Sequence, residues 1–545
     1  MSDNNIQISK GAKMIAIIAM MFMFAMIAFV TNLAAPIGTI WGYQFQGNSF
    51  LGMLGNMMNF LAYLFMGIPA GKLLLKIGYK KTTLWALAIG AIGMAVQYAS
   101  SMWGGEIHVA ESSVTVMEKI NGAEYEVQKT MHVALNFIIY LLGAFIAGFC
   151  VCMLNTVVNP MLNLLGGGGN KGNQLLQAGG TLNSLSATLT PFLVGVLIGA
   201  LTPRSQLSDV DSLLWIAIGI FIAAFIIISF VNIPEPQKGS STKTKFTHSP
   251  WNFRHTVLGV IGIFIYVGVE VGIPGTLMFY LSDQSSSGAG ILGDASAIAG
   301  AIVAIYWLLM LVGRFVSSFI SGKISTRMQL LAVSGAGVIL VIMAIFSAKE
   351  STIAVPQYVY DPVEKTTETL KNAGMPENEI KAFIENKNVE SLTPYTTTQT
   401  FETKEGVMNK TVIKDTTKEP QEIVNALVNA PGVPIAALFL VLCGLCTSVM
   451  WGGIFNLAVE GLGKYTAQAS GIFMMMVVGG GVIPLLQQLI ADAVGYITSY
   501  WLIVGCLGYL FIYGLWGCIN VNKDIPVNDN EDEKNELKEQ LFNAE

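Results

Sequence analysis

Apolar runs of about twenty residues recur along this chain, separated by short loops that carry lysine and arginine. A helix rises about 1.5 Å per residue, so roughly 20 apolar residues cross the hydrocarbon core of a bilayer. Within that core only helices and closed barrels satisfy their own backbone. Barrel strands would alternate polar and apolar residues over about ten positions, and these runs do not alternate. The chain therefore reads as an all-α polytopic membrane protein. Its charge content fits: 12% of residues are charged, against about 25% in an ordinary soluble domain. A net charge of −5 and the lack of any basic groove exclude nucleic acid as a partner.

Twelve spans are expected near 13–40, 50–71, 82–102, 132–163, 174–201, 212–232, 255–282, 295–320, 329–348, 434–460, 467–493 and 499–520. The first follows Lys10 and Lys13 and passes Pro36 without a small-residue cleavage site, so it reads as a retained helix, not a signal peptide. One side of the membrane collects Lys72, Lys76, Lys80, Lys81, Lys171, Lys238, Lys243, Lys245, Arg254, Arg314, Lys323, Arg327 and Lys464. By the positive-inside rule that side is cytoplasmic, and an even span count puts both termini there. The expected layout is a six-helix bundle over 1–232, a cytoplasmic linker over 233–254, a second bundle over 255–520 and an acidic solvated tail over 521–545. Two long loops fall on the outer side, near 103–131 and 349–433. The second holds two short helical stretches on either side of Gly374-Met375-Pro376 and reads as a lid, with a partner-binding module as the alternative.

Several local patterns carry no chemistry. Cys150, Cys152, Cys443, Cys446, Cys506 and Cys518 lie in apolar runs or at their edges and read as inert buried thiols. Gly166 to Asn173 is glycine-rich but lacks the GK[S/T] ending and the preceding strand of a phosphate loop, so it reads as a turn. There is no nucleophile–base set and no metal cluster, so an enzyme, a cofactor and a metal site are not expected.

Two cytoplasmic turns are equivalent in the two halves: Gly67 to Lys81, with Gly71, Gly78, Lys80 and Lys81, and Gly313 to Arg327, with Arg314 and Lys323. Small residues let helices approach, and cations meet helix C-termini and headgroups. These residues are the gating candidates. A gate ion pair between Arg314 and Glu460, both placed at inner helix ends, is conceivable. The first turn resembles the signature loop of the major facilitator superfamily, with Leu75 in place of its aspartate. More specific stretches resemble the fucose:proton symporter family, which includes bacterial glucose/galactose transporters. They are Ile68-Pro69-Ala70-Gly71, Asn155-Thr156 with Asn159-Pro160, Thr181-Leu182-Asn183-Ser184, Tyr266 to Val271, Ile454 to Ala458, Gly461 to Thr466 and Gly479 to Gln487. The resemblance implies two six-helix bundles rocking about a central site, helices 1, 4 and 5 facing 7, 10 and 11 across it, a sugar-like solute, and a monomer in the inner membrane. The chain departs from the family where acids are usual: Asn32 and Asn155 stand there, and Gly180 replaces a sugar-contacting glutamine, with Gln177 one turn away.

Glu270 is an acid in the middle of a span, which costs about 2.5–3.5 kcal/mol on insertion scales and marks a site by default. It is the candidate for proton or cation coupling, with a structural carboxyl as the alternative. No cationic residue is expected mid-span, which argues against an anionic solute. Amides both donate and accept, as sugar hydroxyls require. The candidate solute ligands are Asn32, Asn155, Asn159, Gln177, Asn183, Asn456 and Gln487, with Tyr266 and Trp451 as stacking faces and Glu270 beside them. The expected function is a secondary transporter for a sugar or similar polar solute. Proton symport, sodium symport, uniport and a non-transporting sensor remain open.

Overall fold

The computed structural model describes residues 10–45, 49–120, 123–197, 205–233, 235, 247–283, 288–291, 295–357, 360–403, 406–416, 418–428 and 432–527. Most of the linker and the tail beyond 527 lie outside these residues.

The first half contains helices α1 (Lys10–Gln44), α2 (Ser49–Met102), α3 (Leu135–Gly166), α4 (Gly169–Leu197) and α5 (Asp211–Phe230). The second contains α6 (Arg254–Ser282), α7 (Ala295–Ile320) and α8 (Thr326–Phe346), then, after an insertion, six shorter helices. Among the described residues ten helical stretches are long and apolar enough to cross a bilayer. One of them, Leu54–Met102, is 49 residues long, twice the length a crossing needs. It contains two spans because the chain turns at Gly78, at φ 83 and ψ 175, a left-handed angle that glycine tolerates. The 29-residue α4 is long enough but less apolar, since Asn170, Asn173, Gln177 and Asn183 interrupt it. Counting α2 twice and adding α4 gives the twelve crossings that the sequence predicts.

Helix α5 illustrates why these segments belong in lipid. Leu213, Leu214, Ala217, Phe221, Ala224 and Ile228 recur every three or four residues and are buried. The opposite face carries exposed Trp215, Ile222, Ile226 and Phe230. A water-facing helix would be polar there.

The first half packs through α1 against α2, α3 and α4, and through α2 against α3 and α5. In the second half α12 (Ile435–Thr447) and α13 (Met450–Val459) form one crossing, and α14 (Thr466–Met475) and α15 (Gly479–Val494) form the next. The short α16 (Tyr496–Ser499) and α17 (Trp501–Ile512) form the last. Helix α6 packs against α7, α13, α15 and α17. The halves meet where α2 touches α14 and α4 touches α7 and α13.

The two long loops are structured, and they meet. The first is a β-hairpin, β1 (His108–Ile120) and β2 (Ala123–Ala134), paired antiparallel along its length. The second is held at its base by β3 (Thr352–Ala354) against β6 (Gly432–Pro434). Between these lie α9 (Pro362–Asn372) and α10 (Glu377–Asn386), on either side of the predicted Gly-Met-Pro turn, where Gly374 has φ 87. The hairpin β4 (Thr396–Thr403) and β5 (Gly406–Ile413) and helix α11 (Pro420–Val428) complete the insertion. Leu370, Met375, Ile380, Phe383, Leu392 and Ile413 form its small core. Val127 of β2 pairs with Thr403 of β4, giving one sheet of order β1-β2-β4-β5. Ile120, Val127 and Phe401 pack across that junction. A cap built from both halves therefore stands at the end opposite the linker.

Candidate functional site

The centre of the bundle holds an ion pair between buried Arg314 and largely buried Glu270. Glu270 lies in the middle of α6, and Arg314 lies in α7, six residues before its end. Arg314 Nη2 donates to Glu270 Oε1 at 2.9 Å. The same guanidinium donates to Ser184 Oγ at 2.8 Å, to Gly180 O and Ser448 O at 3.4 Å each, and to Tyr266 Oη at 3.5 Å. Ser184 and Gly180 belong to α4, so Arg314 ties the second half to the first. Glycine at 180 leaves room for this approach: a Cβ there would stand a tight 3.3 Å from Arg314 Cδ. Pro274 in α6 has no N–H to offer the carbonyl of Glu270; Tyr306 Oη donates to that carbonyl at 3.2 Å.

Arg314 was expected in a cytoplasmic loop, free to meet Glu460, with no cation deeper in the membrane. The structure corrects these three points. Arg314 sits about 9 Å up α7 from its C-terminus, its side chain is buried and its partner is Glu270. Glu460 is exposed, and its carbonyl bonds His255 Nε2 at 2.9 Å.

Below the ion pair, toward the linker end, amides line the contact between the halves. In α3, Asn155, Asn159 and Asn163 recur every fourth residue and share one face. Asn155 Nδ2 donates to Tyr63 Oη at 2.8 Å, within the first half. Asn159 Oδ1 accepts from Trp451 Nε1 at 3.0 Å, and Asn163 Nδ2 donates to Asn456 Oδ1 at 2.7 Å, both across the halves. Asn456 Nδ2 passes the bond on to Thr326 Oγ1 at 3.2 Å, and Thr326 N donates to Asn170 Oδ1 at 3.1 Å. Gln177 Nε2 donates to Val449 O at 3.0 Å. Asn173 is fully buried beside Gly452, and neither of its amide atoms has a hydrogen-bond partner.

Backbone contact seals the same end. Gly71 approaches Gly471 so closely that a Cβ on Gly71 would lie 3.1 Å from Gly471 Cα. A Cβ on Gly67 would lie 2.5 Å from Met475 N.

The other candidate solute ligands are dispersed. Asn32 Nδ2 bonds Ala28 O in its own helix at 2.8 Å, and Asn183 Nδ2 bonds Phe24 O at 2.9 Å. Gln487 is fully buried against Gly272 with both amide atoms unpartnered. The rings of Tyr266 and Trp451, both in the second half, have centroids 6.1 Å apart and planes tilted by 53°. Of the gating candidates, Gly71 and Arg314 meet the other half. Gly78 starts the second part of α2, where Glu235 accepts from the first N–H groups, Tyr79 at 2.7 Å and Lys80 at 2.9 Å. Lys80 Nζ reaches Ser229 O at 2.7 Å, and Arg327 Nε reaches Gly514 O at 2.8 Å, both within their own halves. Lys81 and Lys323 are exposed. Sequence reasoning missed Arg314 as a central residue and Ser184, Asn163, Asn170 and Asn173 as contact residues. The Asn155–Asn159–Asn163 spacing was the signal available for Asn163.

The fold and much of the sequence have relatives. The glucose/galactose transporter of Brucella abortus is 26% identical over 509 residues, covering 92% of this chain and 94% of that protein. The crystal structure of the Escherichia coli fucose:proton symporter superposes with a TM-score of 0.61 at 16% identity, over 92% of this chain and 99% of that one. A proton:xylose symporter superposes with a TM-score of 0.55 at 10% identity, over 93% and 97%. The family model of the Major Facilitator Superfamily matches residues 15–356, and the chain belongs to that superfamily.

Proposed function

We propose that this chain is a secondary transporter that carries a neutral sugar or a similar polar solute by alternating access. One observation carries the reading: two helical halves enclose a polar centre, Glu270, Arg314, Tyr266 and Ser184, and close one end below it. A closed linker end beneath a buried polar centre is what one state of a rocking carrier requires. The sugar assignment draws on the relative named a glucose/galactose transporter and on the aromatic rings of Tyr266 and Trp451 beside the centre. Arg314 is already neutralised by Glu270, so the centre carries no net charge to favour an anionic solute. The lysine and arginine bias puts the linker end and both termini in the cytoplasm of an inner membrane, and one chain, holding both halves, is the working unit. Glu270 is the coupling residue, since Asn32 and Asn155 occupy positions where the family has acids and an amide does not exchange a proton near neutral pH. Those same amides favour uniport as the second reading.

Uptake of labelled neutral hexoses into proteoliposomes tests this, with imposed proton and sodium gradients and with Glu270→Gln beside the wild type. Proton-driven accumulation lost in Glu270→Gln is the expected result. Gradient-independent uptake that survives the substitution assigns uniport and leaves Glu270 structural. No uptake of any hexose overturns the sugar assignment.

A further inference from the structure

We propose that Asn159, Asn163, Asn456 and Gln177 close the linker end as an uncharged seam between the halves, and are not solute ligands. Amides with free groups would serve a sugar. Each of these amides commits a group to the opposite half. Asn163 bonds Asn456 at 2.7 Å, Asn456 bonds Thr326 at 3.2 Å, Thr326 bonds Asn170 at 3.1 Å, and Trp451 bonds Asn159 at 3.0 Å. The spacing explains the seam. Asn159 and Asn163 lie one turn apart on α3. Asn170, Asn173 and Gln177 step along α4 at intervals of three and four, so each helix presents one amide stripe. Glycines remove the bulk that would hold the stripes apart: a Cβ on Gly452 would lie 2.8 Å from Gln177 Nε2 and 3.1 Å from Asn173 Oδ1.

Asn173 gives the proposal its sharpest consequence. It is fully buried in the closed seam, and both of its amide atoms lack partners. A buried polar group without a partner opposes the state that buries it, whereas a paired one supports it. Two amides in one seam therefore have opposite signs. Asn163→Leu removes a bond from the closed state and shifts the chain toward the linker-open state. Asn173→Leu removes an unmet demand from the closed state and shifts the chain toward closure.

The purpose of the seam rests on the transporter reading, but its test needs no solute. Spin labels on Lys171→Cys and Lys323→Cys flank the seam at exposed positions, and the six native cysteines are buried. Double electron–electron resonance in nanodiscs then reads the short and long distances directly. Asn163→Leu is expected to raise the long-to-short ratio by about tenfold, equivalent to about 1.4 kcal/mol. Asn173→Leu is expected to lower it by a similar factor. Shifts of the same sign in both variants, or none in Asn163→Leu, overturn the proposal. Where Asn163→Leu does not fold, Asn456→Leu removes the same bond from the other side and is read in the same way. A chain that takes up no hexose but gives the opposite shifts keeps the seam and loses only the sugar.

Discussion

Removing one member of the Glu270–Arg314 pair damages this protein more than removing both. At 2.9 Å and an effective dielectric of about 20, the gross attraction between the charges is about 6 kcal/mol. Desolvation of both groups consumes much of this, which is why whole buried pairs are often replaceable at little cost. Breaking a pair is different, because it strands a buried charge, typically at about 3–5 kcal/mol. Here the two single losses are unequal. In Glu270→Gln the guanidinium keeps Ser184 Oγ at 2.8 Å and the carbonyls of Gly180 and Ser448 at 3.4 Å, so the cost falls near the lower figure. In Arg314→Gln the carboxylate loses its cation and the halves lose the Ser184 bond, so the cost falls near the upper one. Glu270→Gln combined with Arg314→Gln is expected to cost less than Arg314→Gln alone. Apparent unfolding midpoints of the four proteins in one detergent, read by intrinsic tryptophan fluorescence, test the order: wild type, double variant, Glu270→Gln, Arg314→Gln. A double variant whose loss equals the sum of the single losses refutes the reasoning, since the two charges would then be acting independently.

Three further perturbations follow from the same geometry. Gly471→Val is expected to abolish transport while leaving the protein folded and membrane-inserted, because a Cβ there would lie 2.6 Å from Gly67 O and the linker end cannot then close; wild-type uptake would remove the glycine contact from the mechanism. Replacing residues 355–431 by a short linker is expected to leave the helical body intact in detergent, because β3 and β6 bring Ala354 and Gly432 together at the base of the insertion; aggregation of this variant would make the cap part of the core. Asp361 caps α9 by accepting from Val363 N at 2.8 Å, and the Gln357 amide and these N–H groups hold its carboxyl below the usual range. Its contribution is therefore complete above the carboxyl's unfolded value and is lost as pH falls through the lower folded value. Asp361→Ala is expected to raise hydrogen exchange across Pro362–Asn372 near neutral pH, by an amount matching a cap worth about 0.5–2 kcal/mol, and to leave it unchanged at a pH low enough to protonate the native carboxyl; equal exchange at neutral pH would refute the cap.

Hydrophobic length alone settled the class of this protein. Runs of about twenty apolar residues have a helical solution in lipid, so the spans could be read directly, while stretches such as Ile68-Pro69-Ala70-Gly71 and Asn159-Pro160 carried the resemblance to the superfamily. Gly374-Met375-Pro376 marked the α9–α10 turn because its chemistry is local. The β1–β2 hairpin had a local signal as well, Asn121-Gly122 between arms rich in valine and threonine, and a reading tuned to long apolar runs passed over it. The junction of Val127 with Thr403 had no such signal, since it joins residues 276 positions apart in sequence. The partners of polar side chains belong to that second category. Nothing local distinguishes Asn159, which spans the halves, from Asn32, which bonds its own helix. Arg314 looked like a loop cation because charge near a helix end usually is one. Its position became central through a guanidinium long enough to reach Glu270 and a glycine at 180 that let α4 come close. Periodicity and composition along one segment are properties of the chain, whereas which amide faces which across two packed halves is a property of the packing.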